Sequence, residues 1–520
     1  MSAIFVWSQR QDTPIVNRAV YIPLYMNTPL TSFFPAWRHQ LGPMRTIKPQ
    51  IKELRRATLA QIETRLAGAL PAQLLRKRDS QQYSRERIFP LFRTFWCWVW
   101  QILQANCSCR EVVRQVQALF ALEGAGSVDE ATGAYCQARS KIPLAVLEQA
   151  FHAIAKKAEQ KVPAAHLLQA RPIKILDGSS SRLADTPLNR QAYPPPKSMA
   201  AGCGFPIIKI VVLFSLATGV LLARATGNQY THELRLCQSL RAFFAKGDII
   251  VADRAYAVFS MIAWLQSLGA DMIARVPTRL RRVDFRRAKK RYRTGEGLFT
   301  WAKPVRASAV IALAEWLGLP TQITVRLLRV HIKQRGFRTQ RLTLVTTLLD
   351  QTLYPAEQIV AAYARRWRLE TCLDDLKSTL NMEHLNCRCP AMVEKELLVF
   401  LIVHNLLRWL MIDAAQNGDV SLERISFKGT LDSFRQWAVA LSQLGRSKRH
   451  AKKRAQLWAG LLNALATDLV PQRPGRREPR AVKKRSKYPH LDCPRRKYRE
   501  RPSRNKRRSR ALAQKRRCVI

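Results

Sequence analysis

Tyr363, Arg366, Glu370 and Lys377 are spaced so that they could together hold a phosphodiester. On a helix, steps of three, four and seven residues at about 100° each put all four within roughly 60° of arc. Leu369, Cys372, Leu373, Leu376 and Leu380 fall on a broadly opposite face, which can pack on a sheet. The polar stripe offers one carboxylate beside a phenol, a guanidinium and an ammonium. The acid can hold a metal ion, and the other three can grip phosphate oxygens. Equally, the stripe reads as a solvated helix face laced with Glu–Arg and Glu–Lys pairs. Asp374, near Glu370 on the same face, is a rival carboxylate.

Two further acids follow apolar runs. Ile173-Lys174-Ile175-Leu176 reads as a short strand ending in Asp177-Gly178, and Asp248 to Ala252 as a buried strand ending in Asp253. The carboxyl ends of strands are where open α/β sheets bind ligands, although an Asp before Gly is also an ordinary turn residue. Between them, Pro206 to Ser215 and Val220 to Ala225 form an antiparallel pair joined at Thr218-Gly219. Thr231 to Phe244 reads as an amphipathic helix. Strand, hairpin, helix, strand is the opening order of a ribonuclease-H-like α/β domain, and the helix supplies the crossover that a parallel strand needs.

The rest of the chain surrounds that unit. From about 48 to 160 the pattern is helical: Ile51, Leu54 and Leu59 open it, Phe89 to Leu103 is rich in aromatics, and Ser108 caps a helix. Further helices fit Asp129 to Arg139 and Leu144 to Lys157. Such helices suit a helical DNA-binding domain or a plain bundle. Residues 271–350 read as a β-rich insertion: Met272 to Val276, Ile323 to Ile332 and Arg341 to Thr347 are strand-like. Gln334-Arg335-Gly336 marks a hairpin turn, and Arg279 to Arg293 is densely basic. A long helix over Pro355 to Leu380 and a buried one over Val393 to Ala414 follow. The domains expected are therefore a leader or start-site artefact over 1–43 (with Met44 as the start in the latter case), a helical DNA-binding domain over 44–162, a catalytic domain over 163–415, a helical region over 416–470 and a tail over 471–520. The tail holds 21 Lys or Arg against three acids, and should be a disordered basic DNA-binding arm or a solubilising extension.

Composition selects the partner. A net charge of +52 over 520 residues has no use in an enzyme for small metabolites and favours every polyanion. Nucleic acid is the expected partner, because Lys and Arg near phosphates release condensed counterions. A membrane surface fits less well, since no anchor, apolar span or signal-peptide core is evident. A cytoplasmic, nucleoid-associated protein is expected. The eleven cysteines have no framework spacing. Cys107/Cys109 and Cys387/Cys389, with His384 nearby, leave a zinc site conceivable, but buried reduced thiols are the better reading.

Tyr, two residues, Arg, three residues, Glu, six residues, Lys is the signature of the insertion-sequence 4 family of DDE transposases, which this chain resembles at all four positions. Leu176-Asp177-Gly178-Ser179 and Val251-Ala252-Asp253-Arg254-Ala255-Tyr256 resemble the family's first and second motifs. Gly202 to Pro206 and Ala217-Thr218-Gly219 also look like the family, and the 117-residue step from Asp253 to Glu370 fits its β-rich insertion. The resemblance covers about 165–415. It implies a ribonuclease-H-like core in which Asp177, Asp253 and Glu370 hold two Mg²⁺ ions, with Mn²⁺ as a substitute. It also implies that Tyr363, Arg366 and Lys377 grip phosphates of double-stranded DNA. The expected activity is cleavage at transposon terminal inverted repeats and strand transfer into target DNA, by a homodimer in a synaptic complex. Some relatives hold a flipped base with an aromatic residue of the insertion, for which Trp301 is a candidate. A nuclease without strand transfer, and an inactive basic DNA-binding protein, are the alternatives.

Overall fold

The computed structural model describes residues 70–71, 73–75, 88–123, 127–161, 167–195, 204–276, 283–308, 310–331, 341–443 and 448–471. The leader, Ile51, Leu54 and Leu59, the turn at 334–336, the first part of the basic stretch and the tail beyond 471 lie outside these residues.

Four helices open the described chain: α1 (Leu91–Leu103), α2 (Cys109–Glu123), α3 (Gly133–Lys141) and α4 (Leu144–Glu159). Ser108 starts α2 with a reciprocal cap. Its Oγ accepts the Glu111 N–H at 3.2 Å, and the Glu111 carboxylate accepts the Ser108 N–H at 3.2 Å, so two otherwise unpaired donors are satisfied.

Next comes the sheet. β1 (Ile173–Leu183) is followed by the short α5 (Pro187–Ala192), then β2 (Ile207–Ser215) and β3 (Leu221–Asn228). The three strands pair antiparallel. α6 (Glu233–Gln238) leads to β4 (Ile249–Ala252), which lies parallel to β1, and α7 (Phe259–Ser267) leads to β5 (Asp271–Arg275), parallel to β4. The order β3-β2-β1-β4-β5 fits a ribonuclease-H-like core. All four residues of β4 are buried, as a strand covered on both faces requires. Alternate residues of β2 serve two cores: Ile208, Ile210, Val212 and Phe214 face one, Val211 and Leu213 the other.

The sheet does not stop at β5. β6 (Lys290–Arg293), β7 (Glu296–Ala302), α8 (Leu313–Gly318), β8 (Gln322–His331) and β9 (Arg341–Thr346) follow, and β9 pairs antiparallel with β5. The strands of the insertion thus extend the central sheet in the order β5-β9-β8-β7-β6. Met272 to Val276, assigned to the insertion from sequence, is a strand of the core, because β4 pairs with it along its length.

Three other local readings change. β1 runs through Asp177 to Leu183 because β2 pairs with it as far as Arg182↔Ile207. The helix expected over Thr231 to Phe244 is only α6 plus a 3₁₀ turn at Arg241–Phe243. The long helix expected over Pro355 to Leu380 is α9 (Ala356–Ala364), a tight turn, α10 (Trp367–Asp374) and a π-helical turn over Asp375–Thr379. At the break the Arg366 N–H bonds to the Tyr363 carbonyl, three residues back, and at the π turn the Leu380 N–H bonds to Asp375, five back.

After the two-residue β10 (His384–Leu385), which pairs with β1, comes α11 (Pro390–Gly418), then α12 (Phe427–Gln443) and α13 (Ala451–Thr467). α11 is long and apolar enough to cross a membrane, yet most of its apolar window is buried here among α1, α4 and α13. Two of its buried polar side chains are matched inside the core. Asn405 closes on the edge of β3, accepting the Leu221 N–H at 2.8 Å and donating to the Leu221 carbonyl at 2.9 Å. Glu396 accepts the N–H groups of Asn386 and Cys387, which fixes the loop after β10.

Candidate active site

Register brings the two aspartates together. Leu176 pairs with Ala252 across the parallel β1/β4 ladder, so Asp177 and Asp253 are the next residues beyond that pair on the two neighbouring chain segments. Asp177 stands where β1 leaves β4 but stays paired with β2 through Val212, and Asp253 begins the loop after β4. The strand-end placement expected from sequence holds for Asp253. For Asp177 it holds only with respect to β4.

The third acid comes from α10. Glu370 is exposed, while Arg366, one turn earlier, is largely covered. The Arg366 guanidinium reaches both sides: Nη2 is 3.0 Å from Glu370 Oε1, and Nη1 is 3.6 Å from Asp177 Oδ2. Its carbon lies 5.9 Å from the Tyr363 ring centroid. Tyr363, Asp253, Asp177 and Glu370 all act on Arg366 and hold its pKa above the ordinary value, against the opposing effect of burial. Tyr363, Arg366, Asp177, Asp253 and Glu370 therefore form one cluster, with the arginine at its centre. Lys377 falls on the π-helical turn, half-buried, and makes no ion pair with these acids among the described residues. Asp374 is committed elsewhere: its Oδ1 accepts the Ser378 hydroxyl at 2.6 Å.

The electrostatics are those of crowded carboxylates. Burial raises the Asp177 pKa above the ordinary aspartate value; Asp253 and Glu233 add to the rise, while the Gly178 N–H and Arg366 oppose it. Burial also raises the Tyr363 phenol. Among the described residues, no three carboxylate, imidazole or thiolate side chains form a ready-made chelate; the positive charge amid the acids is Arg366. The donor set nevertheless fits a hard divalent cation. Such an ion takes oxygen ligands, needs few carboxylates and completes its shell with water and substrate phosphates. Tyr256, 1% exposed, has a hydroxyl without a hydrogen-bond partner among the described residues, and Glu233, Asp177 and Asp253 all act on it.

Glu233 and Tyr256 had no assigned role in the sequence reading. Glu233 lies in the first turn of α6, where an acid is ordinary because it complements the helix dipole, so only the fold shows that α6 points it at β1. Trp301 sits on β7, and β5, β9 and β8 lie between β7 and β4, which puts about 19 Å of sheet between their strands. Among the described residues Cys97, Cys107, Cys109, Cys136, Cys237, Cys387 and Cys389 form no disulfide. Cys97 and Cys387 are buried, and the Arg139 guanidinium lies 3.3 Å from Cys109 Sγ and 3.9 Å from Cys136 Sγ.

Residues 168–406 match the family model described as a transposase DDE domain. These residues span the sheet, both aspartates, α10 and half of α11. This match and the relative below support an insertion-sequence transposase of insertion-sequence 4 type, a family that implies metal-dependent DNA cleavage and strand transfer. The chain is 25% identical over 335 residues, 64% of this chain and 72% of the relative, to "Transposase InsG for insertion sequence element IS4" of Escherichia coli (strain K12). A solved structure of a piggyBac transposase synaptic complex with hairpin DNA is 12% identical over 81% of this chain and 84% of that one, at a TM-score of 0.34, too low to carry an argument.

Proposed function

We propose that Asp177, Asp253 and Glu370 are the catalytic and metal-holding acids of this transposase, and that Tyr363, Arg366 and Lys377 contact DNA phosphates beside them. The observation that carries the reading is the Arg366 guanidinium held between Asp177 and Glu370: the acids already share one cation across the gap between sheet and helix. Two Mg²⁺ ions, or Mn²⁺ in their place, would supply Lewis acidity toward the attacking and departing oxygens of an in-line displacement.

The chain's own groups do the rest. Asp177 lies on β1 and Asp253 directly follows β4, next to strands whose buried pairing leaves little freedom, so they fix the sheet side of the site. Glu370 closes it from α10, on a segment bounded by a tight turn and a π turn. With the acids neutralised, Arg366 would be free to take a phosphate oxygen, where its planar fork binds well. Lys377 and the Tyr363 hydroxyl extend the same polar stripe along the backbone. One site of this kind can first cut the transposon end and then join the exposed 3′-hydroxyl to target DNA. The helices from α1 to α4 and the basic tail supply further DNA contacts in this reading, at terminal repeats and target. Two copies act together on paired ends.

Joining tests the assignment directly. A pre-cut end carrying a free 3′-hydroxyl is incubated with target plasmid and Mg²⁺. Wild type should give joined product, and Asp177→Asn, Asp253→Asn and Glu370→Gln should each give none while still retarding the end DNA in a gel. Joined product from all three variants would refute the assignment.

A further inference from the structure

Gly178 follows the first aspartate, and the space a side chain would fill there is taken. A Cβ at Gly178 would lie 2.9 Å from the Glu233 carboxylate carbon and 3.0 and 3.1 Å from its two oxygens. The Glu233 carboxylate thus lies flat against the backbone of β1 beside Asp177. Glu233 is also among the charges that act on both Asp177 and Tyr256. Tyr256 is buried, and its hydroxyl has no partner among the described residues. A buried phenol normally finds a hydrogen-bond partner. Here the charges that act on it include the acids Glu233, Asp177 and Asp253, surroundings that favour a divalent cation.

We propose that Glu233 is a fourth carboxylate of the metal site, holding a divalent cation from the β1 side together with Asp177, and that the Tyr256 hydroxyl donates a hydrogen bond to that assembly. The inference rests on the assignment of Asp177 to the metal site. A side chain at 178 would displace the Glu233 carboxylate from its seat. α6 is short, but its position after β3 aims its first turn at the strand that carries Asp177. Placing a fourth acid this close to Asp177 and Asp253 is costly without a cation, and a divalent ion offsets it.

Mn²⁺ is the probe, because it substitutes for Mg²⁺ and its free ion is counted by electron paramagnetic resonance. The full chain is titrated with Mn²⁺ as wild type, Glu233→Gln, Gly178→Ala and Asp177→Asn, with melting curves in EDTA as the check of folding. Glu233→Gln keeps size and removes charge, and it should weaken Mn²⁺ binding by about tenfold or more with a melting temperature in EDTA equal to or above wild type. Gly178→Ala keeps every acid and should weaken Mn²⁺ binding in the same direction by displacing Glu233. It carries the test alone if Glu233→Gln does not fold. Tyr256→Phe should cost less than either. Wild-type Mn²⁺ affinity in both Glu233→Gln and Gly178→Ala, with Asp177→Asn impaired, overturns the role of Glu233 and leaves the three-acid site standing. Wild-type affinity in Asp177→Asn as well overturns the three-acid assignment itself.

Discussion

Arg366 bridges Asp177 on the sheet and Glu370 on its own helix, with Nη1 3.6 Å from one carboxylate and Nη2 3.0 Å from the other. A side chain expected to grip phosphate is thus also the cation that joins the two halves of the acid cluster. The two roles compete, because a guanidinium paired with the acids occupies space that metal needs.

That competition has a measurable sign. Arg366→Ala removes the competitor, so Mn²⁺ affinity should rise roughly three- to tenfold, the equivalent of about 1 kcal/mol for a partly exposed pair. Cleavage of end DNA should fall by roughly 10²-fold, because a positive donor at the reacting phosphate is lost. A titration and a cleavage rate on the same preparation check this, and a fall in both quantities would contradict the bridging role.

The insertion is tied to the segment that leads into α9 through a buried pair. Arg326, 1% exposed, donates from Nε to Glu296 Oε1 at 2.9 Å and from Nη1 to the Tyr354 carbonyl at 2.7 Å, just before α9. Glu296→Ala leaves that guanidinium buried without its counter-ion and should cost roughly 3–5 kcal/mol in urea unfolding. Glu296→Gln, which retains an acceptor, should cost less. Equal losses would show that the charge is irrelevant.

His404 makes the fold sensitive to acid. It is fully buried on α11, stacked on Phe427, and burial, with Arg408 adding to it, lowers its pKa to about 3. The unfolded chain therefore binds a proton near pH 6.5 that the folded chain refuses, and stability is lost as pH falls from about 6.5 toward 3. At pH 5 the loss is about 2 kcal/mol. His404→Phe should melt with a smaller difference between pH 7 and pH 5 than wild type, and an unchanged difference would contradict this account.

Asp375 has the opposite sign. Burial raises its pKa to about 7, with Asp374 adding to the rise and Arg408 opposing it. A folded-state carboxyl that resists ionisation costs stability as pH rises from the unfolded value near 4 toward 7. Asp375→Asn should therefore raise the melting temperature more at pH 8 than at pH 5. A gain independent of pH would point to packing instead.

Local pattern carried much of this architecture in the sequence. The run Asp248 to Ala252 could only be a buried strand, and Thr218-Gly219 marks a hairpin turn where Gly219 has φ +70°. Spacing alone grouped Tyr363, Arg366 and Glu370, and they do cluster, although a tight turn separates Tyr363 on α9 from Glu370 on α10. What stayed hidden depends on partners distant in sequence. β1 extends past Asp177 because β2 pairs with it, and Met272 to Val276 joins the core because β4 lies alongside. The breaks around α10 come from hydrogen bonds three and five residues back, which no side-chain pattern announces. Glu233 reads as an ordinary first-turn acid until α6 is set against Gly178. The ion pairs of Arg366 join residues 189 positions apart in the chain as well as one helical turn apart, and only the second was visible in the spacing.

The most direct test of the three-acid reading is strand cleavage at the element's own end sequence, with Mg²⁺ or with EDTA, for wild type and Glu370→Ala under conditions that allow ends to pair. Cleavage at the end by wild type with Mg²⁺, absent with EDTA and absent in Glu370→Ala, is the predicted result. Cleavage at that end by Glu370→Ala at the wild-type rate, or by wild type in EDTA, would contradict it.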